Sequence, residues 1–228
     1  MKAPILFATA VAGGLVGAAA TYFIPRGDSD VRGYLMAHPE VIPEAMRRLQ
    51  EREAGKSVAA NRDSITTPFA GAWAGNPKAD VTLVEYYDYN CGYCRASLPA
   101  IRQLLADDPN LRIVFRELPV LADSSRDAAR ISLVAAAQDK FSKFHDALYA
   151  GGPVSTDTIA AAARTAGVDT SDLSTIAPKV DAEIASNLDT AAKLGITGTP
   201  SWVIGDRVMS GAFPIEDLKR AIAEARAG

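Results

Sequence analysis

The sequence predicts an α/β domain, and three observations support this prediction. Residues 81–87 (Val-Thr-Leu-Val-Glu-Tyr-Tyr) are apolar on both faces of an extended chain, which is typical of a central strand. A helix-forming stretch at residues 91–105 and a second apolar strand at residues 111–116 complete a β-α-β unit. Near the end of the chain, residues 201–210 show the pattern of a β-hairpin that turns at Gly205-Asp206.

A long alanine-rich region separates the second strand from the hairpin. It predicts a helical insertion over residues 123–194, because alanine is the strongest helix former. The predicted helices of the insertion cover residues 125–138, 139–149, 156–166 and 178–194. A weak strand is expected before the Asn76-Pro77 turn, and a last helix at residues 216–225. The predicted domain runs from residue 69 to residue 228.

The two cysteines of the chain lie together in the motif Cys91-Gly92-Tyr93-Cys94. The motif follows a strand and begins a helix, which is the layout of a thiol–disulfide active site. At a helix N-terminus the dipole and the free N–H groups favour the thiolate, which is the attacking species in disulfide exchange. Cys91 is therefore the predicted nucleophile, and Cys94 is its resolving partner in a redox-active disulfide. A passive disulfide is disfavoured, because so small a loop constrains the unfolded chain little.

Composition argues against several other kinds of site. A net charge of −3 gives no indication of nucleic-acid binding. The C-x-x-C motif supplies only two of the four ligands of a structural zinc site. The two histidines, His38 and His145, are far apart in the sequence and do not have the spacing of the other pair. An iron–sulfur cluster needs four cysteines, and Arg95 stands where a histidine would complete a haem attachment motif. No metal or other cofactor is predicted, although a reduced dithiol is chemically able to bind Cu(I).

An apolar run at residues 3–24 follows Lys2 and predicts export. Small residues near Ala20 fit cleavage of a signal peptide over residues 1–24. The run is also long enough for an uncleaved membrane anchor, which needs roughly 20 residues. Both alternatives place the remaining chain outside the cytoplasm, and we expect a periplasmic location. A lone C-x-x-C pair suits such an oxidising compartment.

Residues 25–54 form a polar, helix-prone segment with a sparse apolar stripe. Pro39 is expected to begin its second helix, and Pro43 either to restart or to kink that helix. The segment is too short to bury the stripe alone, so it either docks on its own domain or mediates self-association. Residues 55–68 are polar and weakly patterned, and we expect a linker in which some helix persists. The stripe residues, spaced by three or four, are Val31, Leu35, Ile42, Ala45 or Met46, and Leu49.

The predicted order of elements is that of a thioredoxin fold with a helical insertion, preceded by an N-terminal helical segment. This layout resembles the DsbA-like family of exported thiol–disulfide oxidoreductases over residues 76–226. Residues 28–54 resemble the N-terminal segment of ScsC-type members more loosely. The sequence features that carry the resemblance are Glu85, Cys91-Gly92-Tyr93-Cys94, Gly198-Thr199-Pro200 and His38-Pro39-Glu40.

The resemblance implies roles for three further residues. Glu85 lies inside an apolar strand, where an unpaired carboxylate is costly. In the resembling family, an acidic residue at this place relays protons to the buried cysteine. Thr199 and Pro200 are expected to form a cis peptide against the Cys91 sulfur, with the Thr199 backbone pairing with substrate.

Four more side chains, three near the motif and one in the insertion, have predicted roles. Tyr89 and Tyr93 are expected to form an apolar rim that binds unfolded substrate. His145 is expected to be structural. Arg95 is either a solvated charge on its helix or a partner of the Cys91 thiolate.

We therefore expect an exported thiol–disulfide oxidoreductase, namely a disulfide isomerase or reductase that acts on unfolded or misoxidised secreted proteins. Gly-Tyr between the cysteines and Thr before the proline are similar to the isomerase DsbC rather than to the oxidase DsbA. Such an enzyme needs a membrane redox partner that keeps Cys91 reduced. Trimers occur in ScsC-like proteins, and a homo-oligomer through residues 28–54 would bring several sites together. The alternatives are a monomeric dithiol oxidase and a copper-handling dithiol protein.

Overall fold

The computed structural model describes residues 27–171 and 173–227. The signal peptide or anchor expected at residues 1–24 lies outside the described residues. Within the two described ranges, no helix combines the length and the apolarity needed to cross a bilayer. The chain divides into two compact units after Gln50, and each is considered by itself.

The first unit contains helix α1 (Gly27–Ala37) and the beginning of helix α2 (Val41–Ala60). Pro39 lies in the turn between them, so it precedes the second helix instead of beginning it as we expected. Pro43 falls in the first turn of α2, where a missing N–H costs nothing because those groups have no acceptor within the helix. Six apolar side chains of this unit are exposed: Val31, Tyr34, Met36, Ile42, Met46 and Leu49.

Five strands of the second unit form one mixed sheet in the order β1-β3-β2-β4-β5. Strands β2 and β3 run parallel, and the other neighbours pair antiparallel. In the β2–β3 register, Glu85 lies opposite Phe115, and Tyr87 lies opposite Glu117. The strands are β1 (Trp73–Gly75), β2 (Val81–Tyr87), β3 (Leu111–Glu117), β4 (Ser201–Ile204) and β5 (Arg207–Ser210).

Helices α5 to α8 lie between β3 and β4 in the chain and form the predicted insertion. Helix α8 starts before the predicted position, so that Pro178 lies inside it. The cost of the proline is offset by the extra turn, because Leu173 and Ile176 pack against the main core. The helices are α3 (Arg62–Thr66), α4 (Gly92–Asp107), α5 (Asp123–Ala137), α6 (Phe141–Ala150), α7 (Thr156–Ala166), α8 (Leu173–Lys193) and α9 (Ile215–Ala227).

The two central strands separate two apolar cores. Side chains alternate between the faces of a strand, and both faces of β2 and β3 are covered. Leu83 and Ile113 belong to the main core, which also contains the active-site cysteines. Val84 and Val114 belong to a second core on the opposite face. The largely apolar pattern at residues 81–87 thus reflects burial on both sides.

Residues 55–68, where we expected a linker, are folded into the second unit. Helix α2 continues to Ala60, and α3 follows after a single residue. Val58 is 1% exposed and Ile65 is fully buried, and both belong to the second core. The polar composition concealed this packing, because these two side chains make most of the apolar contact in a segment that is otherwise solvated.

Arg116 is a buried cation on the second-core face of β3. Its Nε donates to the Ile65 carbonyl at 3.1 Å, and Nη2 donates to the carbonyls of Ser64 and Thr67. Its Nη1 lies 2.5 Å from Glu183 Oε1. These bonds compensate the loss of hydration of the charge and join α3 and α8 to the sheet.

Candidate active site

Cys91 is the N-cap residue of α4. Its backbone is extended, with φ −78° and ψ 115°, and its Sγ accepts a hydrogen bond from the Cys94 N–H at 3.4 Å. The preceding turn is closed by the Cys91 N–H, which donates to the Asp88 carbonyl at 2.9 Å. A thiolate at this position is stabilised by the N–H donor and by the positive end of the helix dipole. The structure thus places the dithiol at the predicted strand-to-helix junction.

The two cysteines differ in their surroundings. Cys91 is 6% exposed, whereas Cys94 is 1% exposed and faces the main core. Burial raises the pKa of the Cys94 thiol well above its ordinary value, and the negative charge of Glu85 raises it further. Cys94 therefore holds its proton firmly and requires a base before it attacks.

The peptide bond between Thr199 and Pro200 is cis and lies beside Cys91. The Cys91 thiol donates a hydrogen bond to the Thr199 carbonyl oxygen at 3.2 Å. Pro200 directly precedes β4, a position where its missing N–H leaves the strand ladder intact. The structure brings Cys91, Thr199 and Pro200 together, as the sequence predicted.

Glu85 lies on β2 and is 1% exposed. Burial raises its pKa to about 8, and the negative charges of Cys91 and Glu117 contribute in the same direction. Glu85 and Tyr87 are alternate residues of one strand, so Glu85 faces the core that contains Cys94. A buried carboxyl group that titrates close to neutral pH is suited both to accepting and to releasing a proton.

Asp88 organises the loops around the motif, and the sequence reasoning missed it. The side chain is 1% exposed. Its Oδ1 accepts the Asn90 N–H at 2.8 Å, and its Oδ2 accepts the N–H groups of Val120 at 2.9 Å and Leu121 at 3.0 Å. An aspartate directly after a strand is a frequent turn residue, and that signal was available in the sequence.

Val120 and Leu121 expose 49% and 53% of their surface on the loop that Asp88 holds. Tyr93, between the cysteines, is 70% exposed. These apolar side chains are available to a bound polypeptide. Tyr89 is only 1% exposed, so its predicted place in a substrate-binding rim is wrong. It points into the main core, where its hydroxyl lies 3.0 Å from His145 Nδ1.

His145 and Arg95 have roles within the fold. Burial lowers the pKa of His145 to about 3, so the imidazole is neutral at physiological pH. Arg95 donates hydrogen bonds to the backbone carbonyls of Tyr149 and Gly152, the latter at 2.7 Å. It is thus neither simply solvated nor aimed at the Cys91 sulfur, and it joins α4 to the end of α6.

The fold and the site together define a protein of the thioredoxin-like class, with a dithiol at a helix N-terminus and a cis-proline beside it. The chain belongs to the DSBA-like thioredoxin domain family, whose profile matches residues 82–223. A second profile, described as the copper resistance protein ScsC N-terminal domain, matches residues 31–55. The predicted fold class and family are confirmed.

Solved structures agree with this assignment. A thioredoxin-like oxidoreductase from Silicibacter pomeroyi DSS-3 is 41% identical with a TM-score of 0.69, over 74% of this chain and 99% of its own. A linker-deletion mutant of Proteus mirabilis ScsC is 27% identical with a TM-score of 0.72, over 86% of this chain and 92% of its own. The thiol-disulfide exchange protein α-DsbA2 from Wolbachia pipientis is 27% identical with a TM-score of 0.71, over 77% of this chain and 97% of its own.

The curated relatives are longer proteins that are named as Na(+)/H(+) antiporters. The Na(+)/H(+) antiporter NhaA 1 of Salinispora arenicola is 33% identical over 159 residues, which cover 68% of this chain. The match spans 24% of the antiporter, so the chain corresponds to about a quarter of the length of that relative.

Proposed function

We propose that this protein is an exported thiol–disulfide oxidoreductase with Cys91 as its nucleophile. The observation that carries the proposal is the position of the Cys91 sulfur. Its Sγ accepts the Cys94 N–H at the start of α4 and lies 3.2 Å from the Thr199 carbonyl beside the cis-proline. The helix terminus presents an N–H donor and a positive dipole to this sulfur, and the neighbouring residues Gly92 and Tyr93 are exposed.

The exchange proceeds in two displacements. The Cys91 thiolate attacks one sulfur of a substrate disulfide, which forms a mixed disulfide and releases the other substrate sulfur as a thiolate. Cys94 then loses its proton and attacks Cys91 Sγ. This step forms the Cys91–Cys94 disulfide and releases the second substrate sulfur. The substrate disulfide is thereby reduced by two electrons, and the dithiol is oxidised.

Glu85 is the proposed base for the second displacement. The pKa of the Cys94 thiol is raised by burial, so the proton must move to a nearby acceptor before Cys94 attacks. Glu85 faces the same core and acts on Cys94 electrostatically. Because the pKa of Glu85 is raised to about 8, its carboxyl group returns the proton when the reaction runs in reverse.

The proposed substrate is an unfolded or misoxidised secreted polypeptide. Its backbone would pair with the backbone of Thr199, as an added strand pairs with a sheet edge. Tyr93, Val120 and Leu121 offer exposed apolar contacts around the nucleophile. Such contacts select unfolded chains, because folded proteins seldom expose apolar segments of this kind.

We propose isomerase or reductase activity rather than simple oxidation, together with self-association through residues 28–54. The exposed apolar side chains of α1 and the start of α2 support the second part, because a partner copy would remove them from water. The match of residues 31–55 to an ScsC N-terminal domain also supports it. A trimer would bring several Cys91 sites together, and a membrane redox partner in the periplasm would keep them reduced.

A copper-handling role has less support. Within residues 27–171 and 173–227, no three or more His, Cys, Asp or Glu side chains are grouped to hold a metal ion. Copper would therefore bind through the two thiolates of Cys91 and Cys94. Copper titration of the reduced protein against a chelator tests this alternative.

The decisive experiment follows refolding of a protein with scrambled disulfides. We expect Cys91→Ser to abolish activity, because it removes the nucleophile. Cys94→Ser retains Cys91 and should accumulate mixed disulfides that gel electrophoresis without reductant detects. Activity of Cys91→Ser equal to that of the unmodified protein would remove Cys91 from its role. A chain that remains monomeric at all concentrations, measured by light scattering, would refute the oligomeric isomerase and favour the oxidase.

A further inference from the structure

A second buried carboxyl group lies close to the active site, and the mechanism above does not use it. Glu117 is the last residue of β3 and is 1% exposed. Its Oε1 accepts a hydrogen bond from the Tyr87 hydroxyl. A buried carboxyl group is costly to ionise, and a fold keeps one only where its surroundings satisfy it.

The surroundings of Glu117 form a continuous polar network inside the apolar core. The Tyr87 hydroxyl lies 3.3 Å from both the Tyr89 hydroxyl and Ser132 Oγ. The Tyr89 hydroxyl lies 2.9 Å from Ser132 Oγ and 3.0 Å from His145 Nδ1. We call these five residues the buried tyrosine–carboxyl cluster. It links β2 and β3 to helices α5 and α6 of the insertion.

Glu117 and Glu85 project from the same face of the sheet. Glu117 lies opposite Tyr87 in the parallel register, and Tyr87 is two residues beyond Glu85 on β2. Strands are about 4.8 Å apart and rise about 3.3 Å per residue, so the two glutamates are diagonal neighbours roughly 8 Å apart. Both are enclosed by apolar side chains, where charges interact more strongly than in water.

We propose that Glu117 is a positioning residue for the proton transfer at Cys94: the two carboxyl groups form one electrostatically coupled pair, in which the charge of either favours the protonated form of the other. This inference rests on the proposed role of Glu85 as the base. Glu117 does not touch the reacting sulfurs, and it acts through the charge that it places near Glu85.

Besides burial, the charge of Glu117 contributes to the raised pKa of Glu85, and the charge of Asp88 contributes to that of Glu117. Burial raises the pKa of Glu117 to about 8, which is close to the value for Glu85. Ionisation of one group therefore falls in the pH range in which the other still holds its proton. The remaining titratable side chains that face Glu117 from β2, the following loop and α6 are Tyr87, Asp88, Tyr89, His145 and Tyr149.

The test is a ¹³C NMR titration of glutamate side-chain carboxyl carbons in the full chain. The protein is held oxidised, so that neither sulfur carries a charge. In the unmodified protein, we expect Glu85 and Glu117 each to titrate over a broadened range above pH 6. In Glu117→Gln, Glu85 should titrate in a single sharper transition. Its midpoint should lie up to about 1.5 pH units lower, as expected for charges roughly 8 Å apart at an effective dielectric constant of about 20.

Two further variants control this measurement. Glu216→Gln removes one negative charge from an exposed side chain and should leave the Glu85 midpoint unchanged. Tyr87→Phe removes the hydroxyl that stabilises the ionised form of Glu117, so it should also lower the midpoint of Glu85. The second variant serves if Glu117→Gln does not fold. A Glu85 midpoint that neither Glu117→Gln nor Tyr87→Phe moves overturns the coupling.

The catalytic consequence is read from the pH dependence of mixed-disulfide resolution. Glu117→Gln should shift the midpoint of this profile to lower pH by the same amount as the carboxyl titration. A profile that moves in Glu85→Gln but stays in place in Glu117→Gln overturns the positioning role. If neither variant moves the profile, the assignment of Glu85 as the base fails, although the NMR titration would still report on the coupling itself.

Discussion

Replacement of Glu85 by glutamine should stabilise the protein while it impairs exchange. The pKa of this carboxyl group rises from 4.5 to about 8 on folding. The folded state therefore favours the protonated form, and stability is lost as the pH rises from the unfolded pKa towards the folded one. At pH 7 the pH is roughly 2.5 units above the unfolded pKa, and each unit costs about 1.4 kcal/mol of stability. The free energy of unfolding is therefore lower by about 3 kcal/mol. Glutamine does not ionise, so it escapes the loss.

The assay is urea denaturation of reduced protein at pH 5, 7 and 8.5. The unmodified protein should lose stability over this range, and Glu85→Gln should lose less, because only Glu117, whose pKa is also raised to about 8, still ionises in its core. The difference in unfolding free energy between Glu85→Gln and the unmodified protein at pH 5 is subtracted from the differences at higher pH. At pH 5 it reports only the exchange of a neutral carboxyl group for an amide. The exposed variant Glu216→Gln should follow the unmodified protein. A stability difference at pH 7 no larger than that at pH 5 would refute the reasoning.

Three further substitutions have expected outcomes. Arg116→Met should destabilise the protein by about 3 kcal/mol in urea denaturation, because it leaves the Ile65 carbonyl and Glu183 without their buried partner. His145→Phe should lower the midpoint of acid unfolding, since the pKa of His145 falls to about 3 on folding and stability is lost as the pH drops below about 6.5; an unchanged midpoint would count against this. Tyr93→Ser should raise KM for an unfolded substrate several-fold without changing stability, because the side chain is 70% exposed. A several-fold fall in kcat with KM unchanged would contradict a binding role.

The sequence predicted the sheet and the position of the dithiol well because their signals are local. A run that is apolar on both faces can be satisfied only in a central strand, and Val81–Tyr87 has this position. The position of the two cysteines follows from the strand before them and the helix after them, and both elements are evident in the sequence. The cis-proline was reached through the family resemblance, because the chain order alone does not show that Thr199 returns to Cys91.

The remaining features depend on contacts that are distant in the chain. Residues 55–68 fold because Val58 and Ile65 meet the second core, and no pattern within the segment reveals that core. Tyr89 and Tyr93 have similar neighbours in sequence, yet one is buried against the insertion and the other is exposed. Glu117 gave no signal as an isolated glutamate. Its meaning comes from the strand register that places it diagonal to Glu85.

The alternation of β3 explains why this strand places no cation beside Glu85 and Glu117. Arg116 is adjacent to Glu117 in the chain, but it projects from the opposite face and is satisfied by Glu183 and by backbone carbonyls. Phe115, opposite Glu85, supplies an apolar surface instead of a charge. Since neither carboxyl group has a cation from β3 on its own face, burial raises the pKa of both, with the charges of Cys91 and Glu117 adding to the shift of Glu85 and the charge of Asp88 to that of Glu117. Arg116 thus stabilises the scaffold on one face of β3, while Glu117 lies diagonal to Glu85 on the other face.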